Sequence, residues 1–491
     1  MPTIEEIEQL AKRRGFFFPS SEIYGGLSGF FDYGHVGTLM KRKIESLWRS
    51  FFKGLNDNYY EIETSLMMPE KVFEASGHLH SFVDPIAKCS KCGTVHRADH
   101  IVEEYLKESF EGMTPEELLE LIKNHKIRCP KCKGELKEVG VLNMMFPINI
   151  GAQGEFKTYL RPETAQGAYV NFSRMFELLR KQMPVGIFLI GKAFRNEISP
   201  RQLTTRMREF SQAELQIFFD PKKIDEHEKW NEVKNYKLIL LPFSERNKKP
   251  MEITCEEAVK KLGLHKFYVY HMAKVQELFL EKFQIPKNKF RLKELSEEER
   301  AFYNKVHWDI EFDLESIGWK EIGGVHYRTD HDLKGHEKVS KQSQEIFFDE
   351  KKFIPHVLEL SFGIDRIIFS LLDIFFKKEK DRTLLKLPNS ISPFIATIFP
   401  LVSKDNLDKK AREVYEKIKS LGIFYDDSGS IGRRYARADE IGVPFSITID
   451  YDTMEDDTVT VRNRDTTKQD RIKISELPKF LHRNHELGLA I

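Results

Sequence analysis

Between Val185 and Phe219 the chain spells two long runs, VGIFLIGKAFRNE and MREFSQAELQIFF, around the polar stretch ISPRQLTTR. Both runs are long enough to pair as antiparallel strands, so this segment already writes the two faces of a sheet. Successive side chains of a strand alternate between faces. Arg195 and Glu197 therefore share a face with Gly191 and Ala193, and small residues beside two charges leave room for a ligand. In the second run Arg208, Phe210, Gln212 and Glu214 fall together, with Leu215 and Ile217 opposite. Alternation alone fits a solvated face with ordinary charge pairs equally well. A third run, HVLELSFGIDR, tips the reading towards a site: Glu359 and Ser361 share one face, and Arg366 opens the helix that follows.

Other elements surround this sheet. Val36, Met40, Ile44, Leu47, Trp48, Phe51 and Leu55 recur at spacings of three and four, which predicts a long helix over 36–55. Tyr60, Ile62, Thr64 and Leu66 then alternate as a strand over 59–66 that Pro69 stops. From Cys89 to Cys132 two cysteine knuckles flank a helix at 114–125, whose Thr114, Pro115 and Glu117 supply N-cap, first-turn proline and capping-box acid. A helix follows Pro162. The stretch 222–305 is rich in Lys and Glu at helical spacing, lacks a convergent chemical set, and reads as a helical insertion. Strands near 320–328 and 355–361 precede a helix from Gly363 through Phe376, and the pattern breaks into a linker at Lys386 to Asn389. Beyond it IATIF, a helix at 404–420, IFYDD, a helix at 431–441, SITID and VTVRN alternate as a small α/β domain.

The 491 residues suit about three domains, and 41% hydrophobic with 31% charged residues is a globular balance. Lys and Arg number 77 against 76 for Asp and Glu, so net charge names no partner and any RNA must be held by local patches. No apolar run approaches the roughly 18 residues of a bilayer span, and MPTIEEIEQLAKRRG is no secretion signal, so a cytoplasmic protein without a membrane partner is expected. Cys89, Cys92, Cys129 and Cys132 form CSKC and CPKC, spaced so that both pairs can meet one tetrahedral ion. With no His or Asp completing an open site, a closed structural zinc is expected, a metal-free knuckle being the alternative. Cys255 stands alone and is expected in the core.

The strand segments resemble motifs 2 and 3 of class II aminoacyl-tRNA synthetases, and the helix and strand ending at Pro69 resemble motif 1. Within that class EIYGGLSGFFDYGHVG, EASGH, RADH, RPETAQGAYVNF, RNEISPR and REF, in this order, resemble segments of the homodimeric glycyl-tRNA synthetases. The resemblance implies an α+β fold with an antiparallel-sheet catalytic core in three parts: 1–80 with motif 1, 146–221 with motif 2, and 306–384 with motif 3. A cysteine-rich zinc-knuckle insertion, 81–145, and the helical insertion, 222–305, interrupt it, and 385–491 becomes an α/β anticodon-binding domain. The same resemblance implies ATP-dependent activation of glycine to glycyl-adenylate, transfer of glycine to the 3′ end of tRNA(Gly), use of magnesium, and a homodimer with no DNA partner.

Site residues follow from the resemblance in the same way. Arg195 would hold the α-phosphate, Glu197 would read the adenine amino group, and Phe210 would stack on the ring. Arg366 would cover the other adenine face and reach the terminal phosphate, making Arg195 and Arg366 the catalytic pair. Asn196, Thr205, Arg206, Met207, Arg208 and Glu209 would complete the ATP site from motif 2, with Arg208 at the distal phosphates. Glu321 and Ile322, from KEIGGVHYR, and Gly363, Ile364 and Asp365 would close it. Glu321 is the candidate magnesium ligand, a surface acid being the alternative. Arg97, Glu163, Glu214, Glu359 and Ser361 would surround glycine, with Phe210, Ser211, Gln212, Ala213, Leu360, Phe362 and Gly363 completing the pocket. Arg97 could equally be a structural arginine, and Leu360 stands where the family's third motif carries proline.

The implied chemistry suits these residue types. A glycine carboxylate attacks the α-phosphorus as an anion already, so positioning and charge stabilisation suffice and the lone His78 and His326 stay outside the site. Every competitor of glycine adds volume, so a tight polar pocket rejects by overlap and no editing domain is expected. Carboxylates crowded around one ammonium should raise one another's pKa unless arginines compensate. Arg433, Arg434 and Arg437, within one helical turn, and Arg462 and Arg464, beside a strand, are the candidate RNA contacts, with a solvated, ion-paired helix as the alternative. Two rival readings remain open: a synthetase for serine, threonine or proline, and a synthetase-like subunit that binds RNA without activating an amino acid.

Overall fold

A computed structural model describes residues 2–489 apart from 108, 109, 111, 112, 199 and 201, with side chains described up to 484. Ser199 and Arg201 of the RNEISPR segment lie outside the described residues. Val185–Phe194 runs antiparallel to Glu209–Phe219 along its whole length, from Val185 opposite Phe218 to Phe194 opposite Glu209. Seven further strands join this pair. In spatial order the sheet is Met251–Thr254, Lys237–Leu241, Phe290–Glu294, Val306–Leu314, Gly318–Thr329, His356–Gly363, Glu209–Phe219, Val185–Phe194 and Tyr59–Glu61. The pairs 59–61 with 185–194 and 237–241 with 290–294 are parallel, and the rest are antiparallel.

Alternation gives the sheet one apolar face. Leu215, Ile217, Val325, Leu358 and Leu360 pack there against Met40, Ile44, Trp48 and Phe52 of the helix His35–Lys53 and against the helix Ile364–Phe375. Trp48 meets Phe188 and Phe362, each with ring centroids 5.7 Å away. Each such side chain contributes about 1.5–3 kcal/mol of burial. The wide apolar face of the 35–53 helix is therefore spent inside its own chain. On the opposite face the helix Ala165–Leu178 covers one end, setting Tyr169, Phe172 and Phe176 against Ile187, Leu189 and Phe218. The remainder of that face is polar.

The stretch 222–305 departs from its reading as a helical insertion. It supplies three strands of the central sheet, 237–241, 251–254 and 290–294, while its helix Lys266–Glu277 packs into the main core. Strands of four or five residues are too short to display period two beside the Lys- and Glu-rich helix Cys255–Leu262. The strand expected over 59–66 is confined to Tyr59–Glu61, because the chain then leaves the sheet and Met67–Pro69 pairs with Phe156–Leu160. The 114–125 helix forms as Pro115–Asn124 with its capping box intact.

At the C-terminal end, five strands in the order Ile423–Tyr425, Ala396–Pro400, Phe445–Ile449, Thr458–Asn463 and Gln469–Lys473 enclose a separate core around Ile398, Val414, Ile447 and Val459. The linker is not loose. Leu385, Leu387 and Ile391 join the main core together with Ala438, Ile441 and Val443, so the helix Ile431–Ile441 docks this domain onto the rest.

Candidate active site

On the polar face, strand register sets the functional side chains in rows. Gln212 lies opposite Gly363, Glu214 opposite Ser361, and Gln216 opposite Glu359. The next strand adds Gly324 beside Ser361 and His326 beside Glu359. A β-bulge, which pairs Ile310 with Gly323 and Glu311 with Glu321, shifts the alternation by one residue at Ile322. It sends Ile322 into the core and brings Glu321 to the mouth of the site, whereas strict period two would have set Glu321 on the opposite face from His326.

These rows line a cavity of about 210 Å³. It brings together Arg195, Glu197, Thr205, Arg206, Met207, Phe210, Ser211, Gln212, Glu214, Glu321, Ile322, Phe362, Gly363, Asp365 and Arg366 with Glu163, Glu359 and Ser361. Ala213, Leu360 and Ile364 turn instead into the core, and Leu360 continues the ladder to strands on both sides. Glu209 pairs with Lys192 at 3.1 Å, and Asn196 meets its surroundings through its backbone N–H, which donates to the Met144 carbonyl. Arg208 donates to the carbonyls of Glu197 (2.9 Å) and Ser28 (3.0 Å), outside the cavity walls. Arg97 stands in the outer vestibule, engaged with Asp84 (3.2 Å) and Asp99, and not in the inner chamber. Asp365 accepts hydrogen bonds from the Ser211 amide and the Tyr33 hydroxyl, anchoring the helix start to the strand.

One end of the cavity is cationic and aromatic. The Arg195 guanidinium lies 5.2 Å from the Phe210 ring centroid and 5.4 Å from that of Phe82, and its Nε donates to the Pro162 carbonyl at 3.1 Å. Arg366 donates through Nε to the Thr205 carbonyl (3.0 Å) and pairs with Glu321 (2.9 Å). A backbone carbonyl thus fixes the plane of each fork. Glu197 is buried and accepts from Arg206 Nε at 2.7 Å. Such forks suit phosphate oxygens, and a buried carboxylate suits an amino donor.

The other end is an acidic chamber built on a residue that sequence reasoning missed. Arg328, 0% exposed, donates to Asp332 (2.8 and 2.9 Å) and Glu359 (2.9 Å), lies 3.5 Å from Glu163, and rests 3.8 Å from the Tyr303 ring centroid. Glu214 accepts from Thr164 Oγ1 at 2.6 Å, and Gln216 Nε2 donates to Glu359 at 2.8 Å. Burial, with Glu359 and Glu163 nearby, pushes Glu214 up to about 8. Burial raises Glu359 as well, whereas at Glu163 Arg328 and His78 outweigh burial and hold the carboxyl below its ordinary range. His326 Nε2 lies 2.9 Å from Ser361 Oγ, and burial beside His307 and Arg328 keeps its ring neutral. Tyr303, His307 and His326 also line the cavity. Gly324, His326 and Arg328 stand at period two in KEIGGVHYR, a signal that could have found them. Tyr303 carries no such signal, since it arrives on the irregular segment after Glu294.

Asp309, Glu311 and Glu321 share one wall of the vestibule. Burial raises Asp309 to about 6 against the lowering effect of His307, 3.0 Å away. Each acid has a basic neighbour: Glu311 pairs with Arg291 (2.6 Å) and Lys293 (3.4 Å), and Glu321 with Arg366 (2.9 Å). Three carboxylates on one vestibule wall are hard oxygen donors, the ligand type that fits a magnesium ion. In the cysteine lobe the four Sγ atoms lie within 4.8 Å of one another, with Cys89 to Cys132 at 3.5 Å and Cys92 to Cys129 at 3.8 Å. A tetrahedral ion with bonds of about 2.3 Å needs sulfur separations of about 3.8 Å, so the set fits zinc. The two knuckles are alike, Gly93 and Lys133 donating their N–H groups to the carbonyls of Cys89 and Cys129.

The RNA candidates are largely spent inside their domain. Arg434 is buried and donates to the carbonyls of Pro400, Asp427 and Gly429, and Arg437 forks onto Asp426. Arg462 forks onto Asp439, and Arg464 donates to the carbonyls of Gly442 and Leu387. Arg433 is exposed.

A long antiparallel sheet with guanidinium forks and an aromatic plate on one face, followed by a separate α/β domain, defines a class II aminoacyl-tRNA synthetase. Two structures of prolyl-tRNA synthetase from Cryptosporidium parvum share this fold at a TM-score of 0.59 and 14% identity; one was solved with L-proline and AMP, the other with halofuginone and AMPPNP. Each covers 99% of this chain, which spans 77% and 78% of theirs. Residues 396–484 match the family described as anticodon binding domain. The glycine–tRNA ligase of Thermococcus gammatolerans is 41% identical over 97% of both chains, and those of Pyrococcus horikoshii and Methanocaldococcus jannaschii are 40% identical over 97% of this chain and 98% of theirs. The chain belongs to the glycine–tRNA ligase family.

Proposed function

We propose that the protein activates glycine with ATP and transfers it to the 3′ hydroxyl of the terminal adenosine of tRNA(Gly). The observation that carries this reading is the meeting, on one sheet face, of the anchored forks of Arg195 and Arg366 with the buried carboxylates Glu163, Glu214 and Glu359. Cationic groups suit a triphosphate, and acids suit an ammonium. In the first step a glycine carboxylate oxygen bonds to the α-phosphorus while the bond to the bridging oxygen of pyrophosphate breaks. Arg195 stabilises charge at the α-phosphate, Phe210 supports adenine, Glu197 accepts from its amino group, and Arg366 covers the ring and reaches the terminal phosphate. In the second step the ribose hydroxyl attacks the glycyl carbonyl and AMP departs.

The finer assignments belong to the same proposal. Glu321, with Asp309 and Glu311 beside it, would hold magnesium, which supplies charge neutralisation at the phosphates. The four cysteines would hold one structural zinc, residues 385–491 would read the tRNA at its anticodon, and the assembly would be a homodimer in the cytoplasm. Ile23 and Tyr24, each 86% exposed, offer apolar surface for such a contact. Among the described residues no helix is long and apolar enough to cross a membrane.

Amino-acid-dependent pyrophosphate exchange tests the reading: glycine should support it, while alanine, serine, threonine and proline should give less than about one hundredth of that rate. Comparable exchange with serine or proline would overturn the substrate assignment, and RNA binding without any exchange would favour the accessory-subunit rival. A second measurement addresses the lobe. Elemental analysis should find one zinc per chain, and C129S should lose it together with protease resistance of the 81–145 lobe; a metal-free native chain would remove the zinc proposal.

A further inference from the structure

The chamber holds more negative charge than its cation can satisfy. Arg328 is committed on three sides, to Asp332 through two hydrogen bonds, to Glu359 through one, and to Glu163 at 3.5 Å. Glu359 also accepts from Gln216 Nε2 at 2.8 Å. Among the described residues Glu214, 2% exposed, accepts at hydrogen-bond distance from a neutral donor alone, the Thr164 hydroxyl. Among the described residues Arg161 is a second cation that feels the charge of Glu214, but its guanidinium donates to the Lys192 carbonyl (2.8 Å) and Thr64 Oγ1 (2.9 Å). Glu214 is thus the carboxylate whose charge is least compensated.

Resting on the glycine reading above, we propose that substrate binding is an exchange at Glu214: the incoming ammonium takes the place of a proton held on that carboxyl, with Arg328 as the positioning residue that holds Glu163 and Glu359 around it. The exchange balances. In the acidic chamber one positive charge leaves as a proton to bulk water and one enters as the ammonium, while the carboxylate of the same glycine zwitterion faces the cationic end at Arg195. A low-dielectric site favours such a swap over the net gain of a charge. The rise of Glu214 to about 8, caused first by burial and then by Glu359 and Glu163, agrees with a proton resident there at neutral pH. Glu359 is raised by burial too, with Arg328 opposing the rise, and the remaining ionisable groups around the chamber are disposed otherwise. Glu163 is held low by Arg328 and His78, and His326 and His336 are kept neutral by burial. Tyr169 and Tyr303 are raised by burial and stay protonated. Arg195 stands at the far end of the cavity, facing Phe210.

The direction follows from competition. Lower pH fills Glu214 with a proton that the ammonium must displace, so affinity falls as pH falls below about 8. Between pH 7.5 and 6.5 the glycine dissociation constant should rise severalfold. Isothermal titration calorimetry of the full-length protein with glycine, at pH 7 in two buffers of different ionisation enthalpy, should report close to one proton released per glycine bound. E214Q should bind glycine more weakly, with no proton release and a flat pH profile, and R328K, which keeps the charge, should retain release. Heat of binding with no proton transfer in the wild type overturns the exchange, as does undiminished release in E214Q, which would move the proton to Glu359. Where E214Q does not fold, the wild-type buffer comparison decides alone. Absence of both glycine binding and pyrophosphate exchange would instead sink the functional reading on which the proposal rests.

Discussion

Replacing Arg366 by alanine should lower glycine-dependent pyrophosphate exchange by about a thousandfold or more. Removing a single preorganised group that meets charge developing in the transition state costs about 10²–10³ in rate, and an arginine on transferring phosphates is worth about 10³–10⁵. Arg366 combines two tasks. Its Nε grips the Thr205 carbonyl at 3.0 Å, and its outer nitrogen meets Glu321 at 2.9 Å, so one side chain ties the motif 2 loop to the proposed magnesium wall. Loss of the guanidinium leaves Glu321 beside Asp309 and Glu311 without its nearest cation, adding repulsion where phosphates must sit. R366K keeps a charge but not the planar fork, and should recover only part of the rate. The loss should fall on kcat more than on the KM for glycine, because the residue stands at the end of the cavity away from Glu214 and Glu359. Exchange by R366A within about tenfold of wild type would remove Arg366 from the catalytic pair.

The legible part of the site is the part governed by period two. Phe210, Gln212 and Glu214 in one run and Glu359 and Ser361 in another stand together because the ladder registers them, and nothing but alternation is needed to foresee it. Alternation also explains why Ala213 and Leu360, drawn in as neighbours of site residues, face the core instead. Glu321 shows the limit. Its side is decided by a bulge at Ile322, an irregularity no residue pattern announces, so only the family resemblance pointed to it. Arg328 is open to the same arithmetic as Gly324 and His326, yet a lone arginine in a strand has no evident partner until Asp332, in the first turn of the next helix, and Glu359, on the neighbouring strand, are brought to it. Arg97 and Arg208 carry charge near the site but find nearer acceptors, Asp84 and Asp99 for one and two backbone carbonyls for the other. In the C-terminal domain the same competition disposes of Arg434, Arg437, Arg462 and Arg464. Spacing places a basic side chain on a helix, whereas its availability to RNA depends on carbonyls and acids that only the folded chain supplies.

The tie between the two domains leads to the second large effect. Asp439, 2% exposed, accepts a two-pronged contact from Arg462 (2.9 and 3.1 Å) and a further bond from Arg382 (3.1 Å), which comes from the hairpin 376–385. Its neighbour Glu440 takes Arg13 at 3.0 Å and Arg14 from the N-terminal helix. One turn of the 431–441 helix therefore joins the anticodon-binding domain to both chain segments that border it. D439A would leave the Arg462 side chain desolvated and without its acid, while Arg382 keeps Glu379 (2.7 Å) and the Arg464 carbonyl (2.9 Å); breaking a buried pair in this way costs about 3–5 kcal/mol. Chemical denaturation of the full-length protein should show the C-terminal transition moved to lower denaturant, its unfolding free energy reduced by that amount. The catalytic rows lie on a different sheet and share no hydrogen bond with Asp439, so pyrophosphate exchange should stay within about twofold of wild type. Charging of tRNA should fall more than about tenfold, since it requires one RNA to reach both domains at a fixed separation. D439N keeps the acceptor oxygen but not the charge and should sit between the two. Exchange and charging that decline in parallel would place the effect in the catalytic sheet and refute the docking role, whereas a split between them identifies Asp439 as the residue that converts two folded units into one tRNA-spanning frame.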